Sequence, residues 1–471
     1  MNRVAKGPET EEGKPTVNRV AMMVREAKLG ADLLERIDFF RLDVSRQLDP
    51  DRRAEMGQFF TPAPTARLMA SMFENRSASL RLLDAGAGVG SLSAAWVAEV
   101  CRRKSRPKAI AVTAYEVEKT FFEYLTLTLE ACQKECEGVG ITMKWEVLQK
   151  DFIEAGVAML DESLFAAPRH EFTSAILNPP YRKINSDSRE RRLLRQIGVE
   201  TSNLYTAFLA IAVQLLEPNG ELVAISPRSF CNGPYFLQFR RSFLKDMTLR
   251  HIHVFESREH AFRDDDVLQE NVVIHAIKGG SGTNKKVVIS SSTGPEDEHS
   301  VSREVDHDEV VRPNDSDSFI YIVPDEMNHR VADAMTNFTA SLTDLQLEVS
   351  TGRVVDFRAG EFLRDHPAKD TVPLIYPMHF HEGFVAWPIP ASRKPQALTA
   401  SRETEELLVP SGWYVLVKRF SAKEERRRIT AAVYDPQRVT TSRVGFENHL
   451  NYYHRDGRGI PRDLAKGLTA F

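Results

Sequence analysis

Asn178, Pro179, Pro180 and Tyr181 directly follow the β-forming run "TSAIL". Proline has no N–H and holds φ at roughly −65°, so Pro179 and Pro180 end the strand and keep the next stretch of backbone extended and stiff. Such a loop presents two hydrogen-bond acceptors, the Asn178 side-chain oxygen and the Pro179 carbonyl, beside the flat ring of Tyr181. Two fixed acceptors are suited to drawing a planar, weakly nucleophilic nitrogen toward tetrahedral geometry as it attacks an electrophile, with little reorganisation in the transition state. The ring offers a face on which a base can stack. This chemistry requires neither a metal nor a covalent intermediate. A plain proline turn over a buried tyrosine would use the same four residues, so the reading depends on what else the chain carries.

A second set of residues has the pattern of a nucleotide-like ligand site. "LLDAGAGVGSLSAAW" puts Gly86, Gly88 and Gly90 on a turn between a strand and a helix starting near Ser91. Glycines let the backbone approach a ligand, and the helix start supplies free N–H groups. Nucleotide-binding dehydrogenases use a similar turn, so the acids around it matter. Asp84 precedes the first glycine, Glu116 ends the next strand-like run ("AYEVEK") in a position to bind ribose hydroxyls, and Asp151 ends the third ("KDFIEAG"). Asp151 can accept from an adenine amino group and Phe152 can pack on the ring. One such acid is usually a surface or capping residue. Three in order, each after a strand, make a pattern.

The elements that must position these residues are legible as periodicity. An amphipathic helical stretch runs from about 17 to 47, and "MGQFFTPAPTARLMASMF" reads as a loop with two prolines leading into a further helix. Apolar strand-like runs follow at 80–85, 109–116, 143–149, 172–178, 220–226, 249–255 and 271–277, most of them separated by helical patterns. Seven strands with crossover helices predict a doubly wound α/β sheet, which binds ligands at the carboxyl ends of its strands. Residues 279–318 are polar and acidic and read as a connector with one short strand, and residues 319–471 regain apolar and aromatic content as a second domain.

Composition narrows the class. The 471 residues are 42% apolar and 27% charged, enough for a large core, and no apolar stretch reaches the roughly 18 residues of a membrane span. The polar start "MNRVAKGPETEEGK" lacks a signal-peptide core, and a cytoplasmic protein is expected. Cys101, Cys132, Cys136 and Cys231 read as buried thiols; Cys132 and Cys136 share a helix face, but no nearby His or Cys completes a metal site. A net charge of −4 excludes a uniformly basic coat but not local patches such as "YRKINSDSRERRLLRQ" (181–196) and "VKRFSAKEERRR" (417–428).

A strand ending in Asn-Pro-Pro-Tyr, fourth in the series, resembles motif IV of amino-directed S-adenosylmethionine-dependent methyltransferases. The resemblance spans roughly residues 55–280, including "GQFFTP" (57–62) ahead of the glycine loop and "NLYTAFLAIAVQLLEPNGELVAISPRSF" (203–230) after the catalytic motif. This order, with a recognition region after the core, is that of the γ class of N6-adenine DNA methyltransferases of the TaqI type. "VSTGRVVDFR" (349–358), "VLVKRFSAKEERRRI" (415–429) and "ENHLNYYH" (447–454) resemble the methyltransferases of PstI/BsuBI-type restriction-modification systems, whose family site is CTGCAG.

The resemblance implies a Rossmann-like, seven-stranded methyltransferase core over 55–280. An N-terminal helical segment (1–54) would precede it, and a linker (281–318) and an α+β target-recognition domain (319–471) would follow. It implies S-adenosyl-L-methionine held by Phe60, Thr61, Pro62, Asp84, Gly86, Gly88, Glu116, Asp151, Phe152 and Asn178, and catalysis by Asn178, Pro179, Pro180 and Tyr181 on an extruded adenine. Phe262 would be the second aromatic against that base, and Arg182, Lys183, Lys418, Arg419, Arg426, Arg427 and Arg428 would meet DNA. Double-stranded DNA with a specific adenine-containing site is the implied partner. A cognate endonuclease acting on the same site without stable complex is implied as well. Two other readings share features with it. A protein N5-glutamine methyltransferase acting on release factors uses the same motif on another planar nitrogen, but the roughly 150 residues after the core favour a DNA-recognition domain. A catalytically silent DNA-specificity subunit would not need both an intact glycine loop and an intact "NPPY".

Overall fold

The computed structural model describes residues 32–47, 59–160, 171–255, 270–279, 286–294, 301–323, 335, 338, 340–390, 392–421, 425, 427 and 429–471. Phe262, Arg426, Arg428, the first two residues of "GQFFTP" and the start of the N-terminal helical stretch lie outside the described residues. The chain divides into two compact units, Met1–Val331 and Ala332–Phe471.

The first unit is built on a sheet with every expected strand: β1 (Ser79–Ala85), β2 (Ala109–Tyr115), β3 (Thr142–Leu148), β4 (Phe172–Leu177), β5 (Leu216–Pro227), β6 (Met247–Phe255) and β7 (Asn271–Lys278). Two more strands, β8 (Lys286–Ser292) and β9 (Val301–Asp306), give the order β3-β2-β1-β4-β5-β7-β6-β8-β9. Strands β1 to β5 run parallel and β7 lies antiparallel to β5. Strand β4 is buried at all six positions rather than at alternate ones, because helices cover both faces of the sheet. One face is covered by α1 (Leu33–Gln47), α2 (Ala63–Ser71), α3 (Ser91–Arg102) and α4 (Lys119–Gly138), whose Phe40, Met69, Trp96 and Leu125 share one core. The other is covered by α5 (Phe152–Leu160), α6 (Arg189–Gln196), α7 (Leu204–Leu215) and α8 (Leu237–Asp246), which contribute Ile153, Leu194, Leu209 and Phe239 to a second core.

Parallel register brings the chemistry to one edge. Ala85 lies opposite Tyr115, and Tyr115 opposite Leu148, so the loops after β1, β2 and β3 leave the sheet side by side. The connections from β1 lead outward to β2 and β3, while β4 sits on the other flank of β1. The crevice therefore opens at the carboxyl ends of β1 and β4, as the switch-point rule requires.

The expected linker is corrected at residues 286–292 and 301–306, which belong to this sheet: β8 pairs parallel with β6, and β9 pairs antiparallel with β8. "KVVISSS" reads as polar, yet Ser290, Ser291 and Ser292 are buried. The Ser290 hydroxyl meets His251 Nε2 at 2.7 Å and His253 Nδ1 at 2.8 Å, and Ser292 meets His253 Nε2 at 3.0 Å. Burial of these hydroxyls is compensated by partners on β6, which a hydropathy pattern does not reveal.

The second unit is largely β among its described residues, with sheets of six and five strands and one C-terminal helix, α9 (Arg462–Ala470). Its core centres on Tyr414, Phe446 and Tyr452, with ring centroids 5.2–6.0 Å apart and two of the three pairs edge-to-face. The four cysteines are buried free thiols, as expected. No described helix is long and apolar enough to cross a membrane.

Candidate active site

The glycine loop leaves β1 with Gly86, Gly88 and Gly90 at φ of +76°, +56° and +88°. These left-handed values are strained for a residue with a Cβ. A Cβ on Gly90 would also lie 2.8 Å from Thr128 Cγ2 of α4, so this glycine is fixed by packing. A Cβ on Gly88 would instead approach the Phe60 ring at 3.2 Å, at the cleft described below. Gly86 and Ala87 donate their N–H groups to Tyr115 O at 2.9 Å each, tying the loop to the end of β2.

Asp84 does not line the cleft. It is fully buried beneath the loop, where Ser93 Oγ in the first turn of α3 donates to its Oδ2 at 2.6 Å. Burial pushes this carboxyl up to about 7 against the lowering effect of Ser93. Asp84 joins strand, loop and helix at one point.

Glu116 faces the cleft from the end of β2. Its Oε2 accepts from Gly88 N at 2.8 Å, and its Oε1 accepts from Val117 N and Glu118 N at 2.8 Å each. Burial raises its carboxyl above the ordinary range although the three N–H groups favour the charged form. An ionised carboxylate has room for about four hydrogen bonds, so an acceptor site remains for a hydroxyl. Val117, the next residue, is an apolar side chain left 48% exposed at the same cleft. Asp151 uses Oδ1 to accept from Glu154 N at 3.0 Å, capping α5, and also lines the cleft. Phe152 packs beneath, 5.3 Å from the Tyr115 ring and 5.1 Å from that of Phe208.

Asn178 is oriented by the segment before α2. Its Nδ2 donates to Phe59 O at 2.7 Å and to Thr61 Oγ1 at 2.9 Å. A carbonyl can only accept, so the nitrogen must face Phe59, and both amide hydrogens are in use. Oδ1 therefore points away as an acceptor, with the Tyr181 hydroxyl donating to it at a long 3.3 Å. Pro62 stands at the N-cap position of α2 and its carbonyl accepts from Ala66 N at 2.9 Å. Backbone bonds from Leu204 N to Arg182 O (2.8 Å) and from Ile184 N to Ser202 O (2.7 Å) pin the far side of the proline loop.

This loop separates two cavities. On one side, a cleft of about 180 Å³ is lined by Phe60, Gly86, Gly88, Glu116, Asp151, Phe152, Asn178, Pro180 and Arg182. On the other, Tyr181 and Lys183 line a wider cleft of about 1030 Å³ with Asn203, Tyr205, Arg228, Ser229 and Tyr235. Tyr181 sits between Phe59 and Tyr205, at 5.8 and 6.1 Å between ring centroids. Arg182, read as a DNA contact, thus borders the first cleft, and Lys183 the second. Tyr115, Val117, Phe121, Leu204 and Phe208 also line the first cleft, with Phe59, Lys150 and Glu190, and none of these is among the expected cofactor residues. The Leu204/Phe208 pair, four apart on α7, is the available signal for one wall.

The remaining basic residues lie in the second unit. Lys418 pairs with Glu425 at 2.6 Å, Arg419 donates to Asn448 O at 3.2 Å and stacks its guanidinium over Phe420, and Arg427 is exposed. Among the described residues, no group of three or more His, Cys, Asp or Glu side chains could hold a metal ion.

Residues 103–262 match the family described as Eco57I restriction-modification methylase. The chain is 42% identical over 436 residues to the type II methyltransferase M.PstI of Providencia stuartii, an alignment covering 92% of this chain and 85% of that protein. It is likewise 42% identical over 444 residues to the type II methyltransferase M.BsuBI of Bacillus subtilis, covering 93% and 86%. Among solved structures it is similar to the type IIG restriction endonuclease BpuSI, at 14% identity and a TM-score of 0.47 over 93% of this chain and 57% of that one.

Proposed function

The chain belongs to the type II DNA methyltransferases of restriction-modification systems, with M.PstI and M.BsuBI as relatives, and on that premise we propose that it methylates the N6 amino group of an adenine extruded from a specific duplex site. S-adenosylmethionine is the proposed cofactor; when bound, it supplies an electrophilic methyl group carried on a sulfonium. The first cleft suits such a molecule: Glu116 keeps an acceptor for ribose hydroxyls, Val117 and Phe152 offer apolar contacts, and Gly88 leaves space beside Phe60.

The observation that carries the reading is the orientation of Asn178, which lines the first cleft three residues before Tyr181 of the second. With both amide hydrogens held by Phe59 and Thr61, Oδ1 is available to accept from an amino group delivered through the second cleft. The Pro179 carbonyl is the proposed second acceptor. Each would take one amino hydrogen and so localise the nitrogen lone pair toward the methyl group that the bound cofactor would supply; as the N–C bond forms, the carbon–sulfur bond would break with its electron pair going to sulfur, a neutral thioether would leave, and one amino proton would pass to solvent. Tyr181 lines the second cleft and can stack on the extruded base. The proposed target is CTGCAG-like, with a cognate endonuclease acting on the same site.

The test is to express the protein in a host lacking DNA methylation, hydrolyse the DNA to nucleosides and digest it with methylation-sensitive nucleases. N6-methyladenine and resistance at CTGCAG are expected, both absent with Asn178→Ala. N4-methylcytosine in place of N6-methyladenine would overturn the adenine assignment, and resistance at another sequence would overturn only the target.

A further inference from the structure

The mouth of the second cleft carries a feature that methyl transfer does not use. In "CNGPYF" (231–236), Tyr235 is 87% exposed on a 3₁₀ turn, Pro234–Phe236, that borders the same cleft as Tyr181. An exposed aromatic alone is ordinary. What holds this one is not. Arg240 of α8 is buried to 1% exposure, and its Nη1 donates to Gly233 O at 2.6 Å and Phe230 O at 3.0 Å. Its Nε and Nη2 reach Asp317 O at 3.2 and 2.8 Å. Burying a guanidinium is costly unless every donor is used, and here the donors serve to clamp a surface turn. Gly233 N donates to Ser229 O at 2.8 Å, and a Cβ at Gly233 would lie 2.6 Å from that oxygen, so the turn admits no larger residue there. Pro234 restricts the backbone just before Tyr235, and Phe236 just after it is buried against Tyr205 at 5.7 Å.

The turn is rigid on both sides, and the one large side chain it leaves outside is Tyr235. A ring held this way loses little freedom on contact, which favours binding. Duplex DNA is the partner proposed above for this chain, and exposed Lys183 on the same cleft can supply charge for its phosphates. We propose that Tyr235 is a wedge that stacks within the duplex at the cleft mouth, in the space the extruded base leaves. This rests on the base-extrusion reading above and adds to it a residue that stabilises the opened duplex.

The test uses the full chain and its mapped target duplex with 2-aminopurine in place of the target adenine, whose fluorescence rises when the base leaves the stack. Tyr235→Ala should lower the single-turnover methylation rate of the unmodified duplex and the affinity of the extruded state about tenfold or more, with cofactor affinity and melting temperature unchanged. Tyr235→Phe should restore both. On a duplex with a mismatch at the target adenine, where pairing no longer opposes extrusion, the Tyr235→Ala deficit should shrink to within about threefold. A normal fluorescence rise and rate in Tyr235→Ala, or an equal deficit on matched and mismatched duplexes, would overturn the wedge while leaving base extrusion intact. No fluorescence rise with the wild-type protein would overturn base extrusion and the wedge together.

Discussion

At the scale of single residues, the site depends on which half of an amide is spoken for. Asn178 uses its nitrogen on Phe59 and Thr61, so its oxygen is the group left to act. Asn178→Ala should therefore lower single-turnover methyl transfer about 100-fold or more while cofactor and DNA affinity stay within a few fold, the signature of removing a preorganised polar group from the reacting atom. Single-turnover assays beside calorimetry would show it; a near-wild-type rate would remove Asn178 from the mechanism. Tyr181 separates two contributions. Its ring is the proposed stacking platform, worth roughly 1–3 kcal/mol. Its hydroxyl donates weakly to Asn178 Oδ1, at 3.3 Å, and so competes with an incoming amino group. Tyr181→Phe should keep or slightly raise the rate, whereas Tyr181→Ala should lose the stacking energy in base-extrusion measurements.

At the scale of elements, the seam of β1, the glycine loop and α3 holds two predictions. Gly90 and Gly88 both have positive φ but face different neighbours. Gly90→Ala forces a left-handed alanine against Thr128 and Leu125 and should destabilise the protein by about 1–2 kcal/mol or more, read as a lower melting temperature. Gly88→Ala presses on Phe60 at the cleft and should weaken cofactor binding more than its effect on stability accounts for. Asp84 makes the same seam sensitive to pH. Its carboxyl is raised by burial from an ordinary 3.8 to about 7, so the folded state keeps a proton that the unfolded chain has released. The associated stability is full below pH 3.8 and is lost as pH rises through about 7, a span on the order of 4 kcal/mol. Melting temperature should fall between pH 5 and 8, and Asp84→Asn should flatten that fall. A wild-type curve equally flat over this range would mean that Asp84 is ionised in the folded protein.

At the scale of the whole molecule, charge is the property to test. The net charge of −4 leaves affinity for DNA to local basic groups, and the sequence marks Arg426, Arg427 and Arg428 as the densest run. Of these, Arg427 is described and exposed. If the run contacts phosphates, replacing all three with alanine should weaken specific and random duplex alike and lower the salt dependence by about 0.9 in log–log slope for each phosphate no longer neutralised. An unchanged slope in titrations across salt concentrations would assign the run to a solvated face and direct attention to Lys183 and the helix from Arg189 to Arg195.

The amino-acid sequence by itself determined the α/β core and the order of its chemistry. Apolar runs with period-two or buried strand character mark β1 to β7, and glycine, acid and proline signals fall just after the strands that place them. These are local signals, set by backbone sterics and periodicity within a few residues. Tertiary structure decided what depends on distant partners. Ser290 and Ser292 belong in a strand because His251 and His253 of β6 satisfy their hydroxyls. Asp84 is a buried joint rather than a cleft residue because Ser93 and the loop close over it. Asn178 faces as it does because Phe59 and Thr61, more than a hundred residues earlier in the chain, take both amide hydrogens. A buried polar group is stable only with its hydrogen-bond partners in place, and those partners are chosen by the fold rather than by the neighbouring residues.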